Sequence, residues 1–283
     1  MGLLPMGELL ARAAAQGYAV PGFCIWNMET AETVLRTAQS LRAPVILMTG
    51  PGEFPLLGPA RHQASVRHLL EAYPVPAALH LDHGERMAEV EACLAAGYTS
   101  VMLDCSTLPF AENAAALKEV VAQAHPLGVT VEGEIGHVGR VGETSVESSG
   151  DSVLTLPDEA AAYVAETGVD ALAVAIGNAH GHYTRLPKLD FARLATIRER
   201  TKVPLVLHGG SGTPEADLRQ AIPLGIAKVN VATDLVTAYR TSLTEQWQAG
   251  RNLWAPQAMA EALQAYAGQV EAWCHRVGAV GKA

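Results

Sequence analysis

The sequence has no basic run, no cysteine pair at metal-binding or disulfide spacing, and no apolar stretch of membrane-spanning length. Each absence removes a class of function. Lysine and arginine number 20 against 29 aspartates and glutamates, so a net charge of −9 with no basic stripe excludes general nucleic-acid binding. A bilayer span needs about 20 consecutive apolar residues, and none occur. The four cysteines, Cys24, Cys93, Cys105 and Cys274, are scattered and read as reduced core residues of a cytoplasmic protein. The opening MGLLPMGELLARAAAQGY has no basic segment ahead of an unbroken apolar core, so no signal peptide is expected. Met6 stands where a myristoylation motif needs Ser or Thr. Only five lysines are present, and only Lys228 falls in a strand pattern, which leaves little room for Schiff-base chemistry.

What the chain has in quantity is short apolar runs alternating with helical patterns. Hydrophobic residues make up 49% and charged residues 17%, a balance suited to strands covered on both faces. Strands are predicted at 19–25, 44–50, 76–82, 99–104, 129–134, 170–177, 204–208 and 226–231. Helical patterns fall at Met28–Leu41, Arg61–Ala72, Met87–Ala96 and Ala111–His125, with glycine stops after several of them. Eight such units predict a single α/β domain over 1–283, a (β/α)8 TIM barrel. The helical patterns at Leu235–Trp247 and Gln257–Val277 read as an extension beyond the minimal barrel, about 235–283, offering an oligomer surface. The segment 136–150, GHVGRVGETSVESSG, is long for a loop after a strand. A mobile lid and a passive insertion both fit it.

Three histidines, His83, His180 and His208, each follow a buried-strand pattern. A parallel barrel directs all its strand ends to one rim, and the C-terminal rim is where barrel enzymes do their chemistry. Three protein ligands with one open position is the catalytic zinc pattern. His80 is an odd number of residues from His83, so alternation turns it elsewhere, and His182 is the weaker partner of His180. Asp82 is the general acid/base candidate, or else a carboxylate that orients a ligand. Glu132 and Glu134 share one face of the fifth strand, which is costly unless they are paired or metal-linked; Glu134, nearer the rim, is favoured as the metal contact, with Asp104 beside it. HGGSG (208–212) and NVATD (230–234) join the last two strands to helices, with Thr213 and Thr233 as expected caps. Glycine turns and helix N-termini there are suited to phosphate.

VPGFCIWNMET, HLDHG, SVMLDCSTLPF, VEGEIGHVG, AVAIGNAHGHY, LVLHGGSG and AKVNVATDL follow in order along nearly the whole chain. In these motifs the sequence resembles the class II, zinc-dependent ketose-bisphosphate aldolases, most closely their tagatose-1,6-bisphosphate branch. The resemblance implies zinc on His83, His180 and His208, with Glu134 and Asp104 near a second metal position. It gives proton transfer to Asp82, assisted by Glu143 on the loop. Dihydroxyacetone phosphate would be held by Gly181, Gly209, Gly210, Ser211, Asn230, Val231, Ala232 and Thr233. Lys228 would lie near the phosphate, Asn27 would join the substrate site, and a monovalent cation would accompany the phosphate. The implied reaction is reversible cleavage of a ketose 1,6-bisphosphate to dihydroxyacetone phosphate and glyceraldehyde 3-phosphate, by a homodimer or homotetramer.

Some positions depart from the pattern. Cys24 stands where these aldolases carry asparagine, Gly50 where they carry Ser or Thr, and Gln257 where an arginine is common. These departures leave room for a ketose 1-phosphate whose aldehyde half is unphosphorylated. A barrel metallohydrolase would open with a His-x-His pair on the first strand, and 19–26 contains no histidine. A non-catalytic aldolase subunit would not need the intact metal and proton-transfer set.

Overall fold

β-branched and aliphatic runs of three to eight residues, separated by helices, bury both faces beneath a helical layer, either in an open doubly wound sheet or in a closed barrel. The computed structural model, which describes residues 2–139, 153–181 and 187–283, shows that closure. Eight parallel strands pair in sequence order into a barrel: β1 (Val20–Cys24), β2 (Val45–Thr49), β3 (Ala77–Gly84), β4 (Ser100–Leu103), β5 (Thr130–Ile135), β6 (Ala171–Val174), β7 (Leu205–Leu207) and β8 (Ile226–Val231). Glu143, His182 and residues 140–150 of the lid candidate 136–150 lie outside the described residues.

The helices that were expected are present as α2 (Met28–Leu41), α3 (Pro59–Ala72), α4 (Met87–Ala96) and α5 (Phe110–Ala124). α6 (Pro157–Thr167), α7 (Phe191–Thr201) and α8 (Glu215–Ala221) continue the ring. α9 (Thr233–Gln248) follows β8 directly and is the eighth unit's own helix, so the extension proper is α10 (Ala255–Arg276), packed on α9, α2 and β1. Among the described residues no helix is long and apolar enough to cross a membrane.

No helix is expected ahead of the first strand, yet one is present. α1 (Met6–Gln16) buries Met6, Leu9, Leu10 and Ala13 and packs on β1, β3 and β8. The Gly7 amide donates to Thr130 Oγ1 (2.9 Å) and the Leu4 amide to the Ala77 carbonyl (2.8 Å), both near strand beginnings. α1 therefore covers the barrel end opposite the histidines. Its apolar positions 6, 9, 10 and 13 follow helical spacing, a signal hidden by the proline before it and the glycine within it.

Candidate active site

The barrel interior is polar. Lys228, fully buried on β8, donates from Nζ to Glu132 Oε2 at 2.7 Å. The other Glu132 oxygen lies 2.8 Å from His208 Nε2, and His80 Nε2 is 3.7 Å from Oε2. His80 Nδ1 reaches Ser100 Oγ at 2.8 Å. Burial pulls His80 down to about 3, and the nearby Lys228 charge adds to this, so His80 is neutral. Burial would raise the Glu132 carboxyl, but Lys228 and the two histidines hold it well below the usual range.

Two interior side chains have partners that the sequence did not show. Lys228 is committed to Glu132 one layer beneath the rim, because alternation along β8 puts it inward on the same side as Asn230 but two residues deeper. His80, expected to face elsewhere, points inward below Asp82, 3.8 Å from Oδ1.

Alternation alone would then turn His83 outward. Instead the β3–β4 register shifts between Leu81 and Gly84, and His83 takes φ +48°. A side chain in the left-handed region is uncommon and strained. At Gly84 a Cβ would lie 2.7 Å from the Met102 carbonyl oxygen, so glycine permits the irregularity. The bulge delivers Asp82 and His83 to the same mouth.

The three histidines converge there. One ring nitrogen of each lies within 4.8 Å of those of the other two. His83 Nε2 and His180 Nε2 are 3.2 Å apart. Zinc–nitrogen bonds of about 2.0–2.1 Å in a tetrahedron separate two ligand nitrogens by about 3.3 Å. Each ring is held from behind: His83 Nδ1 by Asp104 Oδ2 (2.7 Å), His180 Nδ1 by the Val138 carbonyl (3.2 Å), His208 Nε2 by Glu132. Those contacts leave His83 Nε2, His180 Nε2 and His208 Nδ1 for a cation. The last is fully buried without a hydrogen-bond partner, as is Glu134 Oε2, 3.2 Å from it. Without a cation, burial disfavours charge on His208, yet Glu132 and Glu134 outweigh it and push the ring up to about 10. Burial and its two histidine neighbours draw His180 down to about 4. The donor set fits a divalent cation.

The carboxylates divide the work. Asp104 accepts from the Ser106 amide (3.0 Å) and hydroxyl (2.7 Å) on its other oxygen, and gathers with Glu134 and His83 within 4.8 Å. Glu134 Oε1 accepts from the Val138 amide at 3.1 Å. Asp82, partly exposed, accepts from Asn230 Nδ2 at 2.8 Å. Burial would raise its carboxyl, but His83, Lys228, His208 and His80 hold it below the ordinary value. Sequence reasoning favoured Glu134 over Glu132, whose partners it did not identify, and passed over Ser106 and Asn178. The Asn178 amide donates to the His208 carbonyl at 2.9 Å, and its oxygen accepts from the Ile176 amide, tying the β6 turn to β7. Only the interior parity of Glu132 and Lys228 could have exposed that pair in advance.

The phosphate candidates line the β7 and β8 ends. Gly209 has φ +61°, and a Cβ there would lie 2.0 Å from the Ala179 carbonyl oxygen; Gly181 has φ +99°. The Gly210 amide donates to the Asn230 carbonyl (3.0 Å), and a Cβ would strike Val229 Cγ1 at 2.4 Å. Gly210 thus serves close strand approach rather than offering its amide. Ser211 Oγ accepts from the Asp234 amide (3.1 Å) beside the start of α9. The caps differ from expectation: Ala232 is the cap of α9 with Thr233 inside, and Pro214 precedes α8, leaving Thr213 Oγ1 buried and unpartnered. Val231 is buried at the end of β8. Asn27 uses its side-chain oxygen to cap α2, accepting from the Thr30 amide (3.0 Å) and hydroxyl (2.8 Å).

A family model for class II fructose-bisphosphate aldolase matches residues 5–282. The chain belongs to that family. It is 43% identical over 248 residues to the D-tagatose-1,6-bisphosphate aldolase subunit GatY of Klebsiella oxytoca, covering 88% of this chain and 87% of that one. The crystal structure of the YdjI aldolase from Escherichia coli K12 superposes with TM-score 0.87 at 33% identity, covering 99% of both chains. The fructose-bisphosphate aldolase from Campylobacter jejuni shares the fold, with TM-score 0.86 at 22% identity over 100% of this chain and 97% of that one. The enzyme is accordingly a carbon–carbon lyase of class II.

Proposed function

We propose that the enzyme reversibly cleaves a phosphorylated ketose to dihydroxyacetone phosphate and an aldehyde, using zinc on His83, His180 and His208. The observation that carries this reading is the three imidazoles, each fixed from behind so that one nitrogen faces a common centre beside Asp82. A zinc ion there would act as a Lewis acid on the ketone and offset the negative charge that develops as the carbon–carbon bond breaks. Asp82, positioned by Asn230, takes the proton from the hydroxyl at the cleaved carbon and returns it in condensation. Gly181, Gly209, Ser211 and the turn Asn230–Thr233 hold the phosphate, which fixes the ketose against the proton acceptor. Glu143 assists proton abstraction, Glu134 and Asp104 adjoin a second metal position, and a monovalent cation sits by the phosphate.

The relatives' names direct the first assays to tagatose and fructose 1,6-bisphosphates. A ketose 1-phosphate is the second reading, favoured by Cys24 at the end of β1 and by Gly50 and Glu53 after β2. The enzyme works in the cytoplasm, in keeping with four unpaired cysteines, as one barrel domain that assembles into a homodimer or homotetramer. Exposed Trp247, Leu253 and Trp254 near α10 support the assembly, and sedimentation measures it. A coupled assay for triose phosphate, with and without chelator, tests the activity. Turnover that is lost on chelation and restored by zinc is expected; no triose phosphate from any ketose, or turnover indifferent to chelation, refutes it.

A further inference from the structure

The site has a direction. The phosphate turns lie at the β7 and β8 ends, the histidines at β3, β6 and β7, and Asp82 at the end of β3. The loop after β2 lies against Asp82, so a ketose anchored at the turns, with its reacting carbon at Asp82, can extend its aldehyde half along that loop. Three residues wait there. Cys24 ends β1, Gly50 follows β2, and Glu53 lies three residues beyond. Glu53 Oε2 accepts from the Gly50 amide (2.7 Å), and Cys24 Sγ donates to Oε1 (3.5 Å). At Gly50 a Cβ would lie 2.5 Å from the Asp82 carbonyl oxygen, so glycine brings this loop directly against the proton acceptor.

Resting on the aldolase reading above, we propose that Glu53 selects the aldehyde half: it accepts a hydrogen bond from a hydroxyl and rejects a phosphate, so the substrate is a ketose 1-phosphate with a neutral polyhydroxy tail. Glu53 is partly exposed, and its two known contacts leave lone pairs on both oxygens for a hydroxyl donor. Burial and the Asp82 carboxylate raise its carboxyl, while the Gly50 amide and the Cys24 thiol act the other way. The groups that lower the Asp82 carboxyl, by contrast, are His83, Lys228, His208 and His80, all on the metal side or beneath it. A phosphate at the far end of the sugar would bring about −1.5 to −2 charges against Glu53 and Asp82 together. Specificity of this kind is built from a repulsive group as much as from an attractive one.

Condensation isolates the effect, because dihydroxyacetone phosphate stays constant and only the aldehyde changes. The zinc-loaded enzyme is assayed with D-glyceraldehyde and with glyceraldehyde 3-phosphate. The expected kcat/KM ratio favours D-glyceraldehyde by about 10-fold or more, and Glu53→Gln lowers that ratio about 10-fold, chiefly through the KM for glyceraldehyde 3-phosphate. Glu53→Thr, which also removes the charge, should move the ratio the same way. A parent enzyme that prefers glyceraldehyde 3-phosphate, or a ratio unchanged in both variants, overturns the role of Glu53 while leaving the aldolase reading intact. Failure to condense either aldehyde, with cleavage of ketose phosphates also absent, overturns both.

Discussion

Replacing Lys228 by methionine keeps the aliphatic stem and deletes the ammonium in the barrel centre. The lysine is fully buried with Nζ 2.7 Å from Glu132 Oε2, so the variant strands a carboxylate that water cannot reach. Removing one partner of a buried pair costs about 3–5 kcal/mol. Here the lower end applies, because His208 still meets the other Glu132 oxygen at 2.8 Å and His80 lies 3.7 Å from the first. At about 2–4 °C per kcal/mol for a chain near this size, about 3 kcal/mol lowers the melting temperature by about 6–12 °C. Differential scanning calorimetry of the metal-free protein reads the shift. Adding Glu132→Gln removes the stranded charge, so the double variant should lose at least about 1 kcal/mol less than the two single losses combined. A Lys228→Met melting point within about 2 °C of the parent, or strict additivity in the double variant, would refute the pairing as a structural necessity.

Asp104→Ala frees His83 Nδ1, now 2.7 Å from the carboxylate, and should weaken zinc affinity by about 10–100-fold in a chelator competition; unchanged affinity removes Asp104 from the support of that ring. Gly209→Ala sets a Cβ 2.0 Å from the Ala179 carbonyl oxygen at φ +61°, and should raise the KM for dihydroxyacetone phosphate in condensation while metal content holds. An unaltered KM would place the phosphate elsewhere. Asp82→Ala should retain zinc yet lose on the order of 10²–10⁴ in turnover, and a variant that still cleaves would take Asp82 out of proton transfer.

The barrel was legible because its signal is repeated: eight apolar runs punctuated by glycine and proline leave few alternative closures. The rim histidines were legible for the same reason, since strand ends of a parallel barrel converge by topology. What failed was everything decided by local backbone detail. Period-two counting turned His80 away and could not foresee that a bulge and a positive φ would swing His83 into the mouth. Lys228 read as a charge near the phosphate, and its pairing with Glu132 across the barrel, at 2.7 Å, is set by side-chain reach that a sequence does not show. Gly210 looked like an amide donor, but its amide serves the β7–β8 junction, and a sequence cannot show which carbonyl an amide meets.

The buried polar layer follows from a single requirement at the rim. For His208 to present Nδ1 to a cation, Nε2 must carry the proton, and a proton facing the barrel centre needs an acceptor. Glu132 supplies it, but a carboxylate there is prohibitive without a counter-charge, which Lys228 provides from β8, the strand next to β7. His80, kept neutral by burial and by Lys228, donates or accepts at Ser100 without adding charge to the layer. The residue types at 80, 132, 208 and 228 therefore constrain one another as a set. Any single change leaves either an unpaired charge or an imidazole free to turn its protonated nitrogen toward the metal position, so the stability of the barrel and the readiness of the site to take zinc should fall together.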